Sequence, residues 1–347
     1  MTVTDITVIG GGPAGLYAAF YSGVRQMSVR LIEAQEELGG KVRLYPEKMI
    51  WDVGGVPPAR GSEFRKNLIQ QGLTFDPEVH TGTTVTDIKR QENGQFEIIT
   101  HDGRSFASKT VIIAAGSGII NPQRLTIDGA ERFEISNLHY TVQSLETFRG
   151  KNVLISGGGN AAIDWANELD DIAGRVILSC RSEVMKGHES EVNKVMCSNV
   201  DCQFRTSIHR LIASEDGSRI AQVELLCGED EYRTVDVDHV IVNHGYEREL
   251  TFLNDSTIAL EQTGHQRIAA DADGRTSIDG LYAAGDVVDY SGKLNLLAGA
   301  FQDAANAVNA AKQFVDPEAG AKGMVSSHNE VFKKRNEEMK KQEAASK

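Results

Sequence analysis

The sequence predicts an α/β protein made of two Rossmann-like, three-layer nucleotide-binding domains, the second inserted into the first. Three observations carry this expectation. The phrase "ITVIGGGPAGLYAA" at residues 6–19 returns as "VLISGGGNAAIDWA" at 153–166. Each copy reads as a buried strand, a glycine turn and a helix, with a second apolar strand to follow, which is the unit from which parallel sheets are wound. Each copy then leads into a similar run, "FEIITHDGRSFASKTVIIAAG" and "AQVELLCGEDEYRTVDVDHVIVNHG". Both read as a β-meander feeding a last buried strand, so a whole domain is duplicated.

Length and composition agree. A chain of 347 residues, 40% of them hydrophobic, suffices for two cores. A net charge of -13 and a pI of about 5.2 argue against a general nucleic-acid or membrane-surface binder. No apolar run approaches the roughly 18 residues of a membrane span. The N-terminus enters a strand without the charged region and apolar stretch of a signal peptide. Four cysteines are too few for a disulfide scaffold at this length. The expectation is a soluble cytoplasmic protein with reduced thiols.

In the first loop, Gly10, Gly12 and Gly15 have the spacing of a dinucleotide site. The first glycine permits the tight turn, the second lets a pyrophosphate approach the backbone, and the third lets helix and strand pack closely. N–H groups at the helix start hold the phosphate charge. The next strand, "SVRLIEA", ends at Glu33, 18 residues past Gly15, where a carboxylate accepts hydrogen bonds from ribose hydroxyls. Such a site suits FAD or NAD(H). The end of the chain favours FAD: "GLYAAGDVVDYSGKLNLLAGAFQDAANAVNAA" (280–311) places Gly285 and Asp286 between a strand and a helix, where an aspartate suits ribityl hydroxyls and the helix dipole suits a reduced flavin. "VIIAAGSG" (111–118) is a further apolar strand broken by glycine, so distant segments meet in one discontinuous domain.

In the second loop, Gly157, Gly159 and Ala162 repeat the spacing, but the following strand "RVILSC" ends at Arg181. Arginine pairs well with a 2′-phosphate, and Ser182 and Lys186 supply further donors. This reading gives FAD to the first loop and NADPH to the second.

With two such domains and Gly285-Asp286, the chain resembles the thioredoxin-reductase-like flavoproteins over nearly its whole length. The C-x-x-C that thioredoxin reductases carry before the second loop is missing from "ISNLHYTVQSLETFRGK" (135–151), so a dithiol relay is not expected. The phrases "LGGKVRLYPEKMIWDVGGVPP", "NLHYTV", "GGGNAAIDWA", "VNHGYE" and "AAGDVVDYSGKLNLLAGAF" resemble the thioredoxin-reductase-type ferredoxin–NADP reductases of bacteria. That resemblance implies a homodimer that moves hydride from NADPH to FAD and single electrons to ferredoxin or flavodoxin. It places Tyr45 against the flavin ring, with a C-terminal extension from the partner chain over the other face, where "SSHNEVF" makes His328 the stacking candidate.

The FAD contacts then implied are Gly10, Gly12, Pro13, Ala14, Gly15, Glu33, Gly40, Lys41, Tyr45, Asp52, Val85, Gly116, Ile120, Gly285, Asp286 and Ser327. The NADP(H) contacts are Gly157, Gly158, Gly159, Asn160, Ala161, Arg181, Ser182 and Lys186. Domain boundaries follow: 1–115 with 248–315 for FAD, 116–247 for NADPH, and 316–347 as the extension, with hinges near 114–120 and 244–250. The chain departs from the resemblance at Lys41, where glutamine is common, and at Cys180-Arg181-Ser182, where H-R-R is usual; weaker discrimination between NADPH and NADH is the consequence.

Other features read as ordinary. "HESE" (188–191) lacks the second histidine of a zinc helix. Ser156 has no partner histidine or acid suggested by sequence and reads as a strand residue. Arg43, Lys48, Arg60, Arg65 and Lys66 cluster near the flavin-side loop as a docking face for an acidic partner. An NAD(P)H oxidase or diaphorase of the same fold, and a non-catalytic redox sensor, are the alternative functions.

Overall fold

The strand Thr4–Ile9 is the centre from which the first half of the protein is built. In the computed structural model, which describes residues 2–249, 256–263, 267–323 and 326–345, it pairs in parallel with Val29–Ile32 on one side and Ser105–Ile113 on the other. Ile6, Thr7 and Val8 are all fully buried, so both faces of the strand are covered, as in a parallel sheet between helices, and the polar Thr7 is met by Thr4 Oγ1 at 3.2 Å. The sheet runs Glu78–His80, Val29–Ile32, Thr4–Ile9, Ser105–Ile113, Phe96–Thr100, Val85–Arg90. The strand Ser105–Ile113 serves two structures. Residues 105–108 join the antiparallel meander, and residues 111–113 pair in parallel with Leu281–Ala283, contributed from the far end of the chain. Helices Pro13–Val24 and Leu297–Val315 pack through small residues, with Ala18, Ala304, Ala307 and Ala311 fully or almost fully buried.

The second half repeats this plan. Asn152–Ser156 pairs in parallel with Arg175–Cys180 and His239–Val242. The sheet order is Leu138–His139, His239–Val242, Asn152–Ser156, Arg175–Cys180, Asp201–Phe204. The helix Asn160–Leu169 turns Ile163, Trp165, Ala166 and Leu169 inward. An antiparallel meander of Thr206–Ala213, Ile220–Cys227 and Glu231–Asp236 follows and leads into the buried strand His239–Val242, as the sequence reading expects.

The chain divides into two units: Met1–Arg43 with Met49–Ile119 and Glu249–Lys347, and Leu44–Lys48 with Ile120–Arg248. The short segment 44–48 therefore groups with the second unit, although it lies inside the stretch 1–115. Lys48 explains this. Its Nζ donates to Glu168 Oε1 at 3.0 Å, lies 3.9 Å from Asp164 and sits 4.6 Å from the centre of the Trp165 ring, all on the helix Asn160–Leu169. The residues after 315 group with the first unit, because Arg25 donates to Gly320 O and Phe332 packs on Phe20 and Phe75.

Candidate functional site

The first glycine loop is shaped by close backbone contacts. Gly10 has φ +110°, and a Cβ there would lie 2.5 Å from Ala114 O. A Cβ on Gly15 would lie 1.8 Å from Gly10 O, so only glycine lets the helix start this close to the strand. Gly12 differs: a Cβ there would meet only Gly40 Cα, at 3.6 Å. Gly12 is also the N-cap of the helix and supplies no side-chain cap, followed by Pro13 and the buried Ala14. The first-turn N–H groups therefore face open space, the requirement for seating a pyrophosphate.

Glu33 is 9% exposed at its strand tip. Its Oε2 accepts from Gly11 N at 2.5 Å and its Oε1 from Gln35 N at 2.8 Å. The carboxylate thus clamps the loop and keeps lone pairs for a ribose hydroxyl. Gly40 and Gly285 close around the same point: a Cβ on Gly40 would lie 2.8 Å from Gly12 Cα, and one on Gly285 would lie 2.9 Å from Ala14 Cβ. Beside them Lys41 Nζ donates to Asp286 Oδ2 and to Ser117 Oγ, each at 2.8 Å. Burial pushes the Asp286 carboxyl up, but the bond and charge of Lys41, with the charges of Lys293 and Arg267, hold it below the usual carboxylate range. Lys41 therefore acts on the residue that the sequence reading assigns to the ribityl chain.

Sequence reasoning missed the support beneath this turn. Asp303, on the helix Leu297–Val315, accepts from Gly285 N at 3.0 Å, Lys293 Nζ at 2.6 Å and Tyr290 OH at 2.6 Å. Lys293 and Asp303 side chains are 4% and 2% exposed. Burial and then Asp303 push the Tyr290 hydroxyl up to about 12. A single acidic residue in an alanine-rich helix was the available signal.

The second loop reproduces the first. Gly157 has φ +151°, and a Cβ there would lie 2.5 Å from Asn243 O, the counterpart of Ala114 O. Gly159 is an N-cap without a side-chain bond, ahead of Asn160 and Ala161. A Cβ on Gly158 would strike Cys180 Sγ at 2.4 Å. The loop opens onto a cavity of about 510 Å³ lined also by Arg181, Ser182 and Lys186. Among the described residues, none of those lining it is a carboxylate, in a chain of net charge -13. Among the described residues, neither Arg181 nor Lys186 has a hydrogen-bonded or ion-paired side chain, while the neighbouring Glu183 is taken by Arg205. Asn243 Oδ1 is buried in the wall without a partner. Uncapped helix N–H groups, two unengaged cations and an orphaned acceptor fit a phosphorylated dinucleotide.

The structure also corrects the reading of Ser156. Its Oγ lies 2.8 Å from His244 Nε2, at the mouth of this cavity. The two residues are 88 apart in sequence, and only the parallel pairing of their strands joins them.

The remaining predicted residues are scattered. Tyr45 stands beside Tyr246, whose hydroxyl is pushed up to about 12 by burial and then by Tyr45. Asp52 is exposed, and Val85 is 4% exposed in the first core. Gly116 takes a positive φ of +61° next to Ser117. The side chains of Ile120 and Ser327 lie outside the described residues. His328 ends the turn Ser326–His328, and the adjacent Asn329 donates to Val24 O at 3.4 Å. That is the C-terminal end of the helix Pro13–Val24, opposite its glycine loop. The basic face is largely committed: Arg65 donates to Leu38 O and pairs with Glu37, Arg43 donates to Gln35, and Lys48 pairs with Glu168.

Comparison with known proteins gives this geometry its family. Residues 4–312 match the family described as pyridine nucleotide-disulphide oxidoreductase. A curated ferredoxin–NADP reductase 1 of Bacillus mycoides is 56% identical over 339 residues, 97% of each chain. A ferredoxin–NADP reductase 2 of Exiguobacterium sibiricum is 53% identical over 336 residues, 96% of each. The crystal structure of Lactococcus lactis thioredoxin reductase shares the fold, with a TM-score of 0.70 at 24% identity, covering 90% of this chain and 99% of that one. The T. acidophilum thioredoxin reductase shares the fold likewise, with a TM-score of 0.71 at 24% identity, covering 90% of this chain and 99% of that one. The chain therefore belongs to the pyridine nucleotide-disulphide oxidoreductase family and, within it, to the group whose curated members are named ferredoxin–NADP reductase.

Proposed function

We propose that this protein is an FAD-dependent reductase that oxidises NADPH and passes electrons singly to ferredoxin or flavodoxin. The observation that carries the reading is the contrast between two copies of one loop. The strand after the first ends in a buried carboxylate, Glu33, and the strand after the second ends in the unengaged cation Arg181. The first suits an unphosphorylated ribose and the second a 2′-phosphate. Bound FAD supplies the step from hydride to single electrons. The chain's own residues do the rest. Gly12 and Gly40 leave room for the pyrophosphate, Glu33 holds the loop and meets ribose, and Lys41 fixes the charge of Asp286. Gly157–Gly159, Arg181, Ser182 and Lys186 hold NADPH.

The four free cysteines support a reducing, cytoplasmic setting and chemistry without a thiol relay. The family resemblance implies a homodimer, and the position of Asn329 at the far end of the first helix from its glycine loop fits an extension that serves the flavin of a second chain. No helix among the described residues is long and apolar enough to cross a membrane. The test is anaerobic mixing of the yellow protein with NADPH or NADH, followed by ferredoxin or flavodoxin. Bleaching by NADPH and rapid acceptor reduction is the expected result. Arg181→Ala is expected to raise the NADPH KM about ten- to hundredfold, the worth of one charge-assisted contact, with NADH little changed. Bleaching without acceptor reduction, with oxygen consumed once air is admitted, would replace the reading with an oxidase, and no bleaching would leave a sensor.

A further inference from the structure

His244 follows the strand His239–Val242 and stands at the mouth of the second glycine-loop cavity. Its Nε2 is 2.8 Å from the hydroxyl of Ser156, the last residue of the strand that leads into Gly157. Ser156 is buried, so the imidazole is anchored to the rigid part of the site. A serine hydroxyl donates to a neutral ring nitrogen and, after rotation, accepts from a charged one, so the anchor holds in either state.

Among the described residues, the titratable groups lining the cavity with His244 are Arg181 and Lys186, from the loop after the neighbouring strand, the thiol of Cys180 at the end of that strand, and the hydroxyls of Tyr140 and Tyr246. Burial raises both tyrosine hydroxyls, which stay protonated. No carboxylate is among the described residues that line the cavity. Partial burial, and then the charge of Arg181, lower the His244 pKa, although the residue is exposed to solvent, its source of a proton. Without an anion the imidazole is therefore neutral at physiological pH. A phosphate dianion beside Arg181 and Lys186 offsets their positive charge, removes the opposition to a charged ring and so favours its protonated form.

We propose that His244, anchored by Ser156, is a specificity-determining residue that takes up a proton from solvent when the 2′-phosphate of NADP(H) binds beside Arg181. This rests on the reading of the second loop as the NADP(H) site and adds to it a preference for the phosphorylated dinucleotide that strengthens as pH falls. The sign follows from linkage. The complex holds the proton more tightly than the free protein does, so affinity rises as pH falls through the complex's His244 pKa and levels off below that of the free protein. The 2′-phosphate itself has the opposite sign: pressed against Arg181 it sheds its second proton, whose pKa is near 6 by analogy with other phosphate monoesters. Net uptake therefore reports the imidazole.

The experiment is calorimetric titration of the FAD-loaded protein with NADP+ and with NAD+, in two buffers of different ionisation heat, at pH 8 and pH 6.5. Expected for NADP+ are net proton uptake and an affinity about threefold higher at the lower pH, tenfold per pH unit being the ceiling for one proton. His244→Gln keeps a hydrogen-bonding group that does not titrate, and is expected to abolish both effects. His244→Lys, permanently charged, is expected to bind NADP+ at pH 8 as the parent does at pH 6.5. Unchanged uptake in His244→Gln would overturn the proposal. Equal uptake with NAD+ would also overturn it, by assigning His244 to the shared pyrophosphate. If instead Arg181→Ala leaves NADP+ affinity intact, the assignment of the site itself fails.

Discussion

Gly12 and Gly15 stand three residues apart and answer to different constraints. A Cβ on Gly15 collides with backbone at 1.8 Å, whereas one on Gly12 touches nothing nearer than 3.6 Å. Gly15→Ala is therefore expected to destabilise the first unit by about 2–3 kcal/mol through overpacking, seen as a lowered thermal midpoint. Gly12 has φ −80° and ψ −171°, an extended backbone that valine also adopts. Gly12→Val should fold and purify colourless, because its side chain fills the space left for the pyrophosphate. Absorbance in the flavin band, set beside the melting curve, separates the two cases; a fully yellow Gly12→Val would remove the first loop from FAD binding. Both glycines were legible from spacing alone. Ser156 was not, because a hydroxyl in an apolar strand carries no sign of the histidine 88 residues away that meets it.

Two pairings between elements lead to stability predictions. The ion pair of Lys293 and Asp303 joins the helix Leu297–Val315 to the turn at Gly285, and both side chains are almost wholly buried. Lys293→Met leaves the Asp303 carboxylate buried without its cation. The expected loss is about 3–5 kcal/mol, read from urea unfolding of the yellow protein and accompanied by weaker FAD retention. In the second unit, His139 and His239 meet on neighbouring parallel strands, Nε2 to Nδ1 at 3.0 Å, with Phe148 edge-on to both. Burial, and then the charge of His239, lower the His139 pKa to about 4. The unfolded ring titrates near 6.5. Above that pH both states are neutral and nothing is lost. As pH falls from about 6.5 toward 4 the unfolded state gains the proton first, so stability declines, by up to about 3 kcal/mol. The drop in thermal midpoint between pH 7 and pH 5 is expected to shrink in His139→Leu; an undiminished drop would assign the pH dependence to other groups.

At the scale of the whole molecule, one plan is used twice and then extended. The extension packs by Phe332 on Phe20 and Phe75, with Arg335 lying 5.2 Å from the Phe75 ring centre. This surface is at the end of the first helix away from its glycine loop, a helix about 18 Å long. Truncation after Ala321 is expected to leave FAD bound, since Gly12, Glu33 and Asp286 remain. In a homodimer whose extensions cover each other's flavins, the visible spectrum and the rate of reoxidation by oxygen should both change, and turnover with ferredoxin should alter more than NADPH binding. Unchanged spectrum, reoxidation and turnover would make the extension a packing element of its own chain alone.

The sequence by itself determined the repeat, the strand–loop–helix order and the contrast of Glu33 with Arg181. Each is local: spacing of glycines, runs of apolar residues and the residue at a strand tip are fixed within some thirty positions. Tertiary structure decided what depends on distant segments meeting. It put residues 44–48 with the second unit through Lys48, bridged Asp286 to Ser117 through Lys41, and seated the Gly285 turn on Asp303. It engaged most of the basic face that sequence alone had left open for a partner. Parallel sheets bring together strand ends that are far apart in the chain, so the neighbours of a site at those ends, His244 above all, follow from strand order and not from any motif.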